Sequence, residues 1–392
     1  MRNRKDIEEL ESKVLAAYGM KSKDSGGRAY EEPLHDGRTC YQRDRDRIVH
    51  AEAFRKLEYK TQVFIIFEND YYRTRLTHTI EVAQLARTIG RNLRLNEDLI
   101  EAIALAHDLG HPPFGHAGED ALDEIVRRAN PKGFNHNLRS FEIVTKFEKK
   151  YPNFPGLNLT REVLVGILKH QSVYDTPGGE VYRKYKEGPT LEAQVVDIAD
   201  SLAYLNHDVD DGLTSGCITE EDLMESQLWQ RAIKKVGQTA TPGLQAERQM
   251  FKYQVVKELI DMQVKDLLAA TYARLQELKF NSADEVKKSK ESVVGFSPLM
   301  RTQRDQLQSM LNTKLYHHWR VERMTFKAKR LIGDLFKVYL ENPKQLPYSI
   351  YPRDIKFTDA QKYELIGNYI ASMTDRFAVD EHKRLFDPYQ RV

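Results

Sequence analysis

The sequence predicts an all-α protein. From about residue 44 onwards, apolar residues recur at helical spacing in one segment after another. One stretch, residues 61–72, is rich in the β-branched and aromatic side chains that are typical of strands. At 392 residues the chain is long enough to bury a large core, as one large domain or as two.

The first 42 residues are predicted to form a polar arm. A short helix is expected at its start, followed by irregular chain that Ser-Gly-Gly at 25–27 and Pro33 interrupt. Helical spacing then begins at Ile48, Ala51, Phe54 and Leu57. The strand-like residues 61–72 are expected to form a short hairpin or an extended link.

The rest of the chain is predicted to be helical, with two main loops. The next helices are expected near 74–94, 97–108, 117–130, 137–150 and 160–170. A loop rich in glycine and tyrosine is expected at 171–188, and an exposed loop at 286–292. Amphipathic helices are expected near 219–236, 243–280, 298–315, 318–342 and 358–374. These patterns suggest a polar arm (1–42), a helical core (43–215) and a helical C-terminal region (216–392).

The helix expected at about 190–210 has two different stripes. One is apolar and consists of Val195, Ile198, Leu202, Leu205 and Val209. The other is polar and consists of Asp197, Asp200, Tyr204, His207, Asp208 and Asp211. Taken alone, the polar stripe is typical of a solvated helix face, and the alternative is the wall of a polar cavity.

Composition excludes several classes of protein. The net charge of +2 argues against a surface devoted mainly to nucleic acid. No apolar run approaches the roughly 18 to 20 residues of a membrane span, and the N-terminus MRNRKDIEELESK has no apolar signal core. Cys40 and Cys217 are too far apart to suggest a thiolate zinc site. We therefore expect a cytoplasmic protein with reduced cysteines.

Five of the twelve histidines fall between residues 78 and 136, which suggests a site. His78 shares a predicted helix face with apolar residues, so it could also be a hydrogen-bonded core residue. The pair His107-Asp108 ends an apolar helix just before Pro112-Pro113, where it could instead contact the helix dipole. His116 and Glu119 have i, i+3 spacing, so one helix face presents both.

These motifs carry a family resemblance. A histidine in RTRLTHTIEVAQLAR, a His-Asp pair in HDLGHPPFGHAGE and a late aspartate in DIADSLAYLNHDVDD resemble the signature of the HD phosphohydrolases. Together with RDRDRIVHAEAFRKLEYKTQVF, they resemble the deoxynucleoside triphosphate triphosphohydrolases, the dGTPase-like branch. The resemblance covers about residues 43 to 340 and implies an HD-domain helical core with a helical C-terminal extension.

The resemblance implies a metal site. The ligands would be His78, His107, Asp108 and Asp200. Asp197 is the rival of Asp200, which we choose because Ala-Asp-Ser-Leu-Ala-Tyr matches the family's AD-x-x-x-Y pattern. Mixed nitrogen and oxygen ligands favour Mn²⁺ or Mg²⁺, with Fe²⁺, Co²⁺, Ni²⁺ and Zn²⁺ as alternatives.

The resemblance also implies catalytic and substrate-binding residues. Catalysis would involve His116, Glu119 and His136. The alternative for His136-Asn137 is a helix N-cap. Substrate contacts would come from Gln62, Val63, Arg75, Tyr204 and Asp208, and from the more loosely matched Lys314, Tyr316 and Arg320. The last three are at helical spacing and could equally form an ordinary surface face.

The implied reaction is metal-dependent hydrolysis of deoxynucleoside triphosphates to deoxynucleoside and inorganic triphosphate. Rival functions are an HD phosphohydrolase of nucleoside monophosphates or signalling nucleotides, and a nucleic-acid-binding protein that retains the metal site. The family also implies a homo-oligomer built from dimers, up to a hexamer, and a nucleotide activator. The chain lacks the long insertions of larger dGTPases and a recognisable SAM domain before the HD core, and both departures weaken any transfer of nucleotide specificity or allosteric control from the family.

Overall fold

The computed structural model describes residues 2–62, 73–170, 180–237, 245–289 and 291–391, without the side chains of 180, 183 and 245–249. The predicted all-α fold is confirmed. Among these residues, β-type pairing is limited to isolated bridges, such as the antiparallel one between Thr61 and Thr74. Over the same part of the chain, every helix is too short or too polar to cross a membrane.

Helices of the first half carry the histidine-rich motifs. They are α1 (Arg4–Val14), α2 (Cys40–Val49), α3 (Glu52–Lys56), α4 (Arg75–Asn92), α5 (Glu97–Ala106), α6 (Gly115–Arg127), α7 (His136–Glu142) and α8 (Arg161–Leu168). Polar side chains fix several of their starts. Thr39, for example, accepts a hydrogen bond from the Gln42 amide while Gln42 accepts one from the Thr39 amide, a capping box.

Helices of the second half are longer on average. They are α9 (Glu180–Lys184), α10 (Leu191–Ser215), α11 (Glu220–Leu223), α12 (Gln227–Gly237), α13 (Gln245–Leu278), α14 (Ala283–Lys288), α15 (Pro298–Leu311), α16 (Trp319–Glu341), α17 (Asp359–Ala371) and α18 (Asp375–Phe386). The 25-residue α10 begins at its N-cap Thr190 and ends at Gly216, whose φ of 69° suits a glycine C-cap.

The chain forms two compact units, each assembled from three separate segments. The first unit comprises Met1–Asp24, Glu81–Glu101 and Glu187–Glu322. The second comprises Ser25–Ile80, Ala102–Lys186 and Arg323–Val392. The predicted division into an arm, a core and a C-terminal region stays a proposal.

The first unit is organised around α10, which packs against α13 and α15. A buried polar chain fixes its rotation. Arg304 on α15 donates to Gln263 on α13 and to the carbonyl (3.2 Å) and hydroxyl (3.0 Å) oxygens of Ser201. Gln263 in turn donates to the Asn206 side chain at 3.1 Å. Since unpaired polar groups are costly to bury, this chain holds α10 in one orientation.

The second unit has an apolar cluster that joins α6 to the C-terminal helices. The fully buried members include Leu122, Ile332, Leu335, Phe336, Tyr339, Ile366, Ile370 and Ala378. Burying a leucine, isoleucine or phenylalanine side chain stabilises a fold by about 1.5 to 3 kcal/mol. The cluster therefore binds residues 323–392 firmly to α6, the helix that carries His116 and Glu119.

Several local predictions need correction. The predicted loop 286–292 is wrong at its start, because α14 continues through Lys288 and buries Val286. The predicted loop 171–188 is wrong at Glu180–Lys184, which is helical. The prediction of a last helix at 358–374 also missed α18, whose N-cap Thr374 accepts from the Phe377 amide at 3.2 Å.

Other local predictions hold only in part. The helix expected at 137–150 ends at Glu142 and continues as a π-helical turn through Phe147. Its N-cap is Asn135, which accepts from the Leu138 amide at 2.9 Å, so the alternative that made His136-Asn137 the cap is wrong. Of the strand-like segment 61–72, residues 63–72 lie outside the described part of the chain.

Candidate functional site

Three predicted metal ligands lie close together in the second unit. His78 lies in the first turn of α4, and the pair His107-Asp108 follows directly after α5. All three side chains are buried, and they offer ligand atoms that lie within 4.8 Å of one another. Two imidazole nitrogens and a carboxylate oxygen suit a divalent transition metal or Mg²⁺ better than a structural zinc ion. The residues therefore fit a divalent cation.

Hydrogen bonding sets the tautomer of His107. Its Nδ1 lies 2.7 Å from the carbonyl oxygen of Ala104. Because a carbonyl can only accept, Nδ1 must carry the proton. In the neutral ring the lone pair then belongs to Nε2, which faces Asp108 with 3.5 Å between Nε2 and Oδ1. This is the arrangement that metal-binding histidines commonly have.

Asp108 is held as a carboxylate. Burial alone would raise its pKa, but His107, Arg75 and His111 together lower the pKa well below the usual range for aspartate. The Arg75 guanidinium donates from Nη1 to Oδ2 at 2.9 Å, and His111 Nε2 lies 3.2 Å from Oδ1. An ionised carboxylate beside two imidazoles is ready to bind a cation without first losing a proton.

Asp200, the predicted fourth ligand, belongs to the first unit. It lies in the middle of α10 and is partly exposed, as is its rival Asp197 one turn earlier. Both keep the places on the helix that the sequence pattern predicted, and the choice between them stays a proposal.

The predicted catalytic residues form a second cluster in the second unit, centred on Glu119 of α6. The backbone amide of His136 donates to Glu119 Oε1 at 2.8 Å, and His136 Nδ1 lies 2.8 Å from the same oxygen. His116 Nδ1 lies 3.6 Å from Glu119 Oε2. His116 is the most exposed of the three, with 30% of its side chain accessible. The carboxylate can therefore orient both imidazoles.

His111 connects the two clusters, and the prediction did not include it among the site residues. Its ring stacks on that of His136 with 3.8 Å between centroids, and its Nδ1 lies 3.8 Å from Glu119 Oε2. Burial and the neighbouring Arg75 and His136 lower the pKa of His111 well below its ordinary value. For Glu119, burial alone would raise the pKa, but His136, His116 and His111 lower it well below the usual range. A neutral His111 thus lies between two carboxylates.

Arg75 is buried and has hydrogen-bond donors that no described residue satisfies. It is only 1% exposed, and among the described residues its Nε and Nη2 atoms have no hydrogen-bond partner. A buried guanidinium with unsatisfied donors is costly unless an anion completes it. Gln62 is likewise buried, and its Oε1 has no partner in the described part of the chain. These three atoms therefore suit contacts with a bound polar ligand.

The polar stripe of α10 is not an ordinary solvated face, because several of its members are buried. Asp208 is fully buried and accepts a hydrogen bond from the Tyr316 hydroxyl. His207 and Asp211 are buried as well, and His207 Nε2 is hydrogen-bonded to Glu81. Tyr204, one turn before Asp208, is partly exposed. The structure thus brings Asp208 and Tyr316 together, as a shared ligand site requires.

The remaining predicted substrate residues are placed differently. Lys314 pairs with Asp222 (3.0 Å) and Glu225 (3.4 Å). Arg320 is exposed and donates to the Ser215 carbonyl at 3.3 Å. The helical spacing expected for Lys314, Tyr316 and Arg320 holds only in part, because Lys314 and Tyr316 lie in a π-helical turn (Asn312–Tyr316) and Arg320 lies in α16. Val63 lies outside the described residues.

One further residue near the site was not among the predicted site residues. His170 is buried, and its ring centroid lies 5.0 Å from that of His107. Asn137 donates to the His170 carbonyl at 3.0 Å. His170 lies in GILKHQ, outside the motifs that carry the family resemblance, whereas His111 could have been found from its place inside HDLGHPPFGH.

Comparison with known proteins identifies the family of the chain. A family model described as HD domain matches residues 75–205, and one described as phosphohydrolase-associated domain matches residues 294–384. A deoxyguanosinetriphosphate triphosphohydrolase-like protein of Geobacter sulfurreducens is 48% identical over 385 residues, 98% of each chain. Its namesake in Geobacter metallireducens is 47% identical over 380 residues, 96% of each chain. The deoxyguanosinetriphosphate triphosphohydrolase-like protein of Ralstonia nicotianae is 47% identical over 375 residues, which cover 95% of this chain and 94% of the Ralstonia protein.

Proposed function

Because the chain belongs to the deoxyguanosinetriphosphate triphosphohydrolase-like family of HD-domain hydrolases, we propose that it cleaves deoxynucleoside triphosphates to deoxynucleoside and inorganic triphosphate. The observation that carries this proposal is the buried group His78, His107 and Asp108 beside the Glu119-centred histidines. Such a pairing of a metal site with acid–base groups is what hydrolysis of a phosphate ester requires.

The metal would be held by His78, His107 and Asp108, with Asp200 as the proposed fourth ligand. A bound divalent cation would polarise a phosphate oxygen and lower the pKa of a water molecule. Mn²⁺ and Mg²⁺ are the first candidates because the site combines imidazole and carboxylate donors without thiolates.

Side chains of the protein would protonate the leaving group and bind the phosphate oxygens. Cleavage at the α-phosphorus expels the deoxynucleoside 5′-oxygen, which leaves poorly unless it is protonated. His116 is positioned by Glu119 and partly exposed, so it can reach a ligand and donate that proton. The unsatisfied donors of Arg75 would bind a phosphate oxygen, since guanidinium groups recognise phosphate through paired N–H groups.

We expect Arg75→Lys to lower kcat/KM for deoxynucleoside triphosphates by about tenfold, because a lysine provides a single ammonium where arginine provides a fork. Most of the loss should appear as a higher KM. Steady-state kinetics would measure it, with Arg376→Lys on the exposed side of α18 as the matched control. Unchanged kinetics for Arg75→Lys would contradict a phosphate contact.

We also expect discrimination against ribonucleotides. The resemblance assigns Asp208 and Gln62 to the 3′-hydroxyl and Val63 to the space beside the 2′-carbon. A buried hydroxyl without a partner costs about 1 to 3 kcal/mol, so GTP should turn over at least ~10-fold more slowly than dGTP. Val63→Ala should narrow the gap more than it changes dGTP turnover. Comparable kcat/KM values for GTP and dGTP would instead favour a signalling-nucleotide substrate.

Product analysis tests the function directly. The protein is incubated with each of the four deoxynucleoside triphosphates, singly and mixed, with Mn²⁺ or Mg²⁺. Release of intact triphosphate is the expected result. Release of orthophosphate or pyrophosphate would indicate another phosphohydrolase activity. Absence of turnover, together with salt-dependent binding of single-stranded DNA, would indicate a nucleic-acid-binding protein that retains the metal site.

A further inference from the structure

Asp375 connects the C-terminal helix to the loop that leads to His116. It is the first residue of α18 and is only 1% exposed. Its Oδ1 accepts a hydrogen bond from the Phe114 amide at 3.0 Å. Its Oδ2 accepts from the Thr61 amide at 2.9 Å and also from the Thr61 hydroxyl. A residue near the end of the chain thus binds two segments that lie far away in sequence.

Lys60 adds a second connection between the same segments. Its buried ammonium donates to the carbonyl of Ala371, at 3.0 Å, and to the carbonyl of His111. The carbonyl of Lys60 accepts from the Arg75 amide at 3.0 Å, at the start of α4. Residues 371–375 therefore hold the loop 111–114 directly, through Phe114, and also through Lys60.

The loop needs such support because its backbone is unfavourable. Phe114, the N-cap of α6, has φ 65°, and Gly115, the first residue of the helix, has φ 60°, so two successive residues have left-handed φ values. A bulky side chain such as that of Phe114 rarely adopts this conformation unless its surroundings enforce it. There is also little room for movement. A Cβ atom on Gly115 would lie 3.2 Å from the Gln62 carbonyl oxygen and 3.3 Å from Arg75 Nη2.

We propose that Asp375 is a positioning residue, which holds the loop 111–114 so that His116 points correctly for proton transfer to the leaving group. This inference rests on the proposed function. In the proposed role, Asp375 does not contact the substrate. It acts by fixing the turn from which α6 begins, and His116 is the second residue of that helix.

A merely structural role for Asp375 would give a different result. If Asp375 only docked α18, its substitution would lower stability, and its effect on kcat would be the same with or without His116. If it acts through His116, removing His116 should remove most of what Asp375 contributes. Residues that act as a unit show this kind of non-additivity in a double-mutant cycle.

The kinetic test uses Asp375→Asn, His116→Ala and the double variant in the metal-loaded protein. Asparagine has the same shape as aspartate, but it has one carbonyl oxygen and so cannot accept from the Phe114 and Thr61 amides through two separate oxygens. We therefore expect kcat to fall about tenfold and KM to change less than about threefold. On the His116→Ala background, the same substitution should cost less than about twofold. Fully additive losses would overturn the proposal. Asp380→Asn, a change on the same helix at a half-exposed position, is the control and should leave kcat unchanged.

Two further measurements guard against misfolding and against a wrong substrate. Asp375→Glu keeps a carboxylate, so it should retain more activity than Asp375→Asn at a similar thermal midpoint. Without any substrate, backbone amide exchange of peptides covering 109–119 should be faster in Asp375→Asn than in the wild type and in Asp380→Asn. Unchanged exchange would overturn the claim that Asp375 holds the loop. Failure of the wild type to cleave any deoxynucleoside triphosphate would refute the proposed function alone, and the exchange result would still decide the role of Asp375.

Discussion

Asp108→Ala is expected to abolish turnover of every deoxynucleoside triphosphate and to lower the bound metal. Asp108 is the residue on which His107, His111 and Arg75 converge, with its oxygens 3.5, 3.2 and 2.9 Å from their nitrogens. Removing the Asp108 side chain takes away one predicted metal ligand and also the negative charge that pairs with the Arg75 guanidinium. His107→Ala should have the same effect on metal and rate, because it removes a neighbouring predicted ligand.

Stability must be separated from chemistry in this experiment. Breaking a buried ion pair commonly costs about 3 to 5 kcal/mol, because the remaining charge is left buried. Asp108→Asn is therefore measured beside Asp108→Ala, since it keeps the shape of the side chain. Elemental analysis gives the metal content, and circular dichroism should show that the helices persist. Asp120→Asn, an exposed carboxylate of α6 that pairs with Lys329, is the control. Full metal content and full activity in the Asp108 and His107 variants would contradict the assignment of these two residues as metal ligands.

His116→Ala should keep the metal and lose roughly 10²- to 10⁴-fold in rate, the usual range for general acid–base catalysis. His116 does not belong to the group His78, His107 and Asp108 but to a separate group with His111 and Glu119, and its Nδ1 lies 3.6 Å from Glu119 Oε2. Because the pKa of Glu119 is lowered, this carboxylate stays ionised at neutral pH and can stabilise a protonated imidazole.

The leaving group offers a sharper test of the same residue. An aryl phosphodiester such as bis(4-nitrophenyl) phosphate expels a stable phenolate, which needs no proton. The loss caused by His116→Ala should therefore be much smaller on this substrate than on dGTP. His317→Ala, at an exposed histidine, serves as the control on both substrates. Loss of metal in His116→Ala would place the residue among the metal ligands instead.

Local pattern was enough to predict the elements that carry the motifs. The apolar run before His107 predicted α5, and the two stripes of residues 190–210 predicted α10, because each pattern repeats over several helical turns. The i, i+3 spacing of His116 and Glu119 likewise anticipated that they would be neighbours. These are short-range properties, which the sequence expresses directly.

Long-range contacts could not be predicted in the same way. The pairing of His136 with Glu119 depends on how α7 packs against α6, and no spacing rule connects them. Asp375 lies 261 residues from Phe114, and an aspartate near a helix start is normally explained by capping or the helix dipole. Mn²⁺ or Mg²⁺ as the metal, the nucleotide activator, the assembly into dimers or hexamers and the cytoplasmic location stay predictions.

The discontinuous build of the second unit has a consequence for synthesis on the ribosome. Its first two segments, Ser25–Ile80 and Ala102–Lys186, emerge long before Arg323–Val392, which supplies eleven of the sixteen buried residues in the apolar cluster on α6. Until that last segment leaves the exit tunnel, the nascent chain exposes apolar surface and the loop 111–114 lacks its hydrogen bond to Asp375. Contacts of such long sequence separation form slowly and favour aggregation in the meantime. The enzyme should therefore acquire its catalytic competence only after residues 323–392 have left the exit tunnel, and ribosomes stalled before residue 371 should carry an inactive, chaperone-dependent chain.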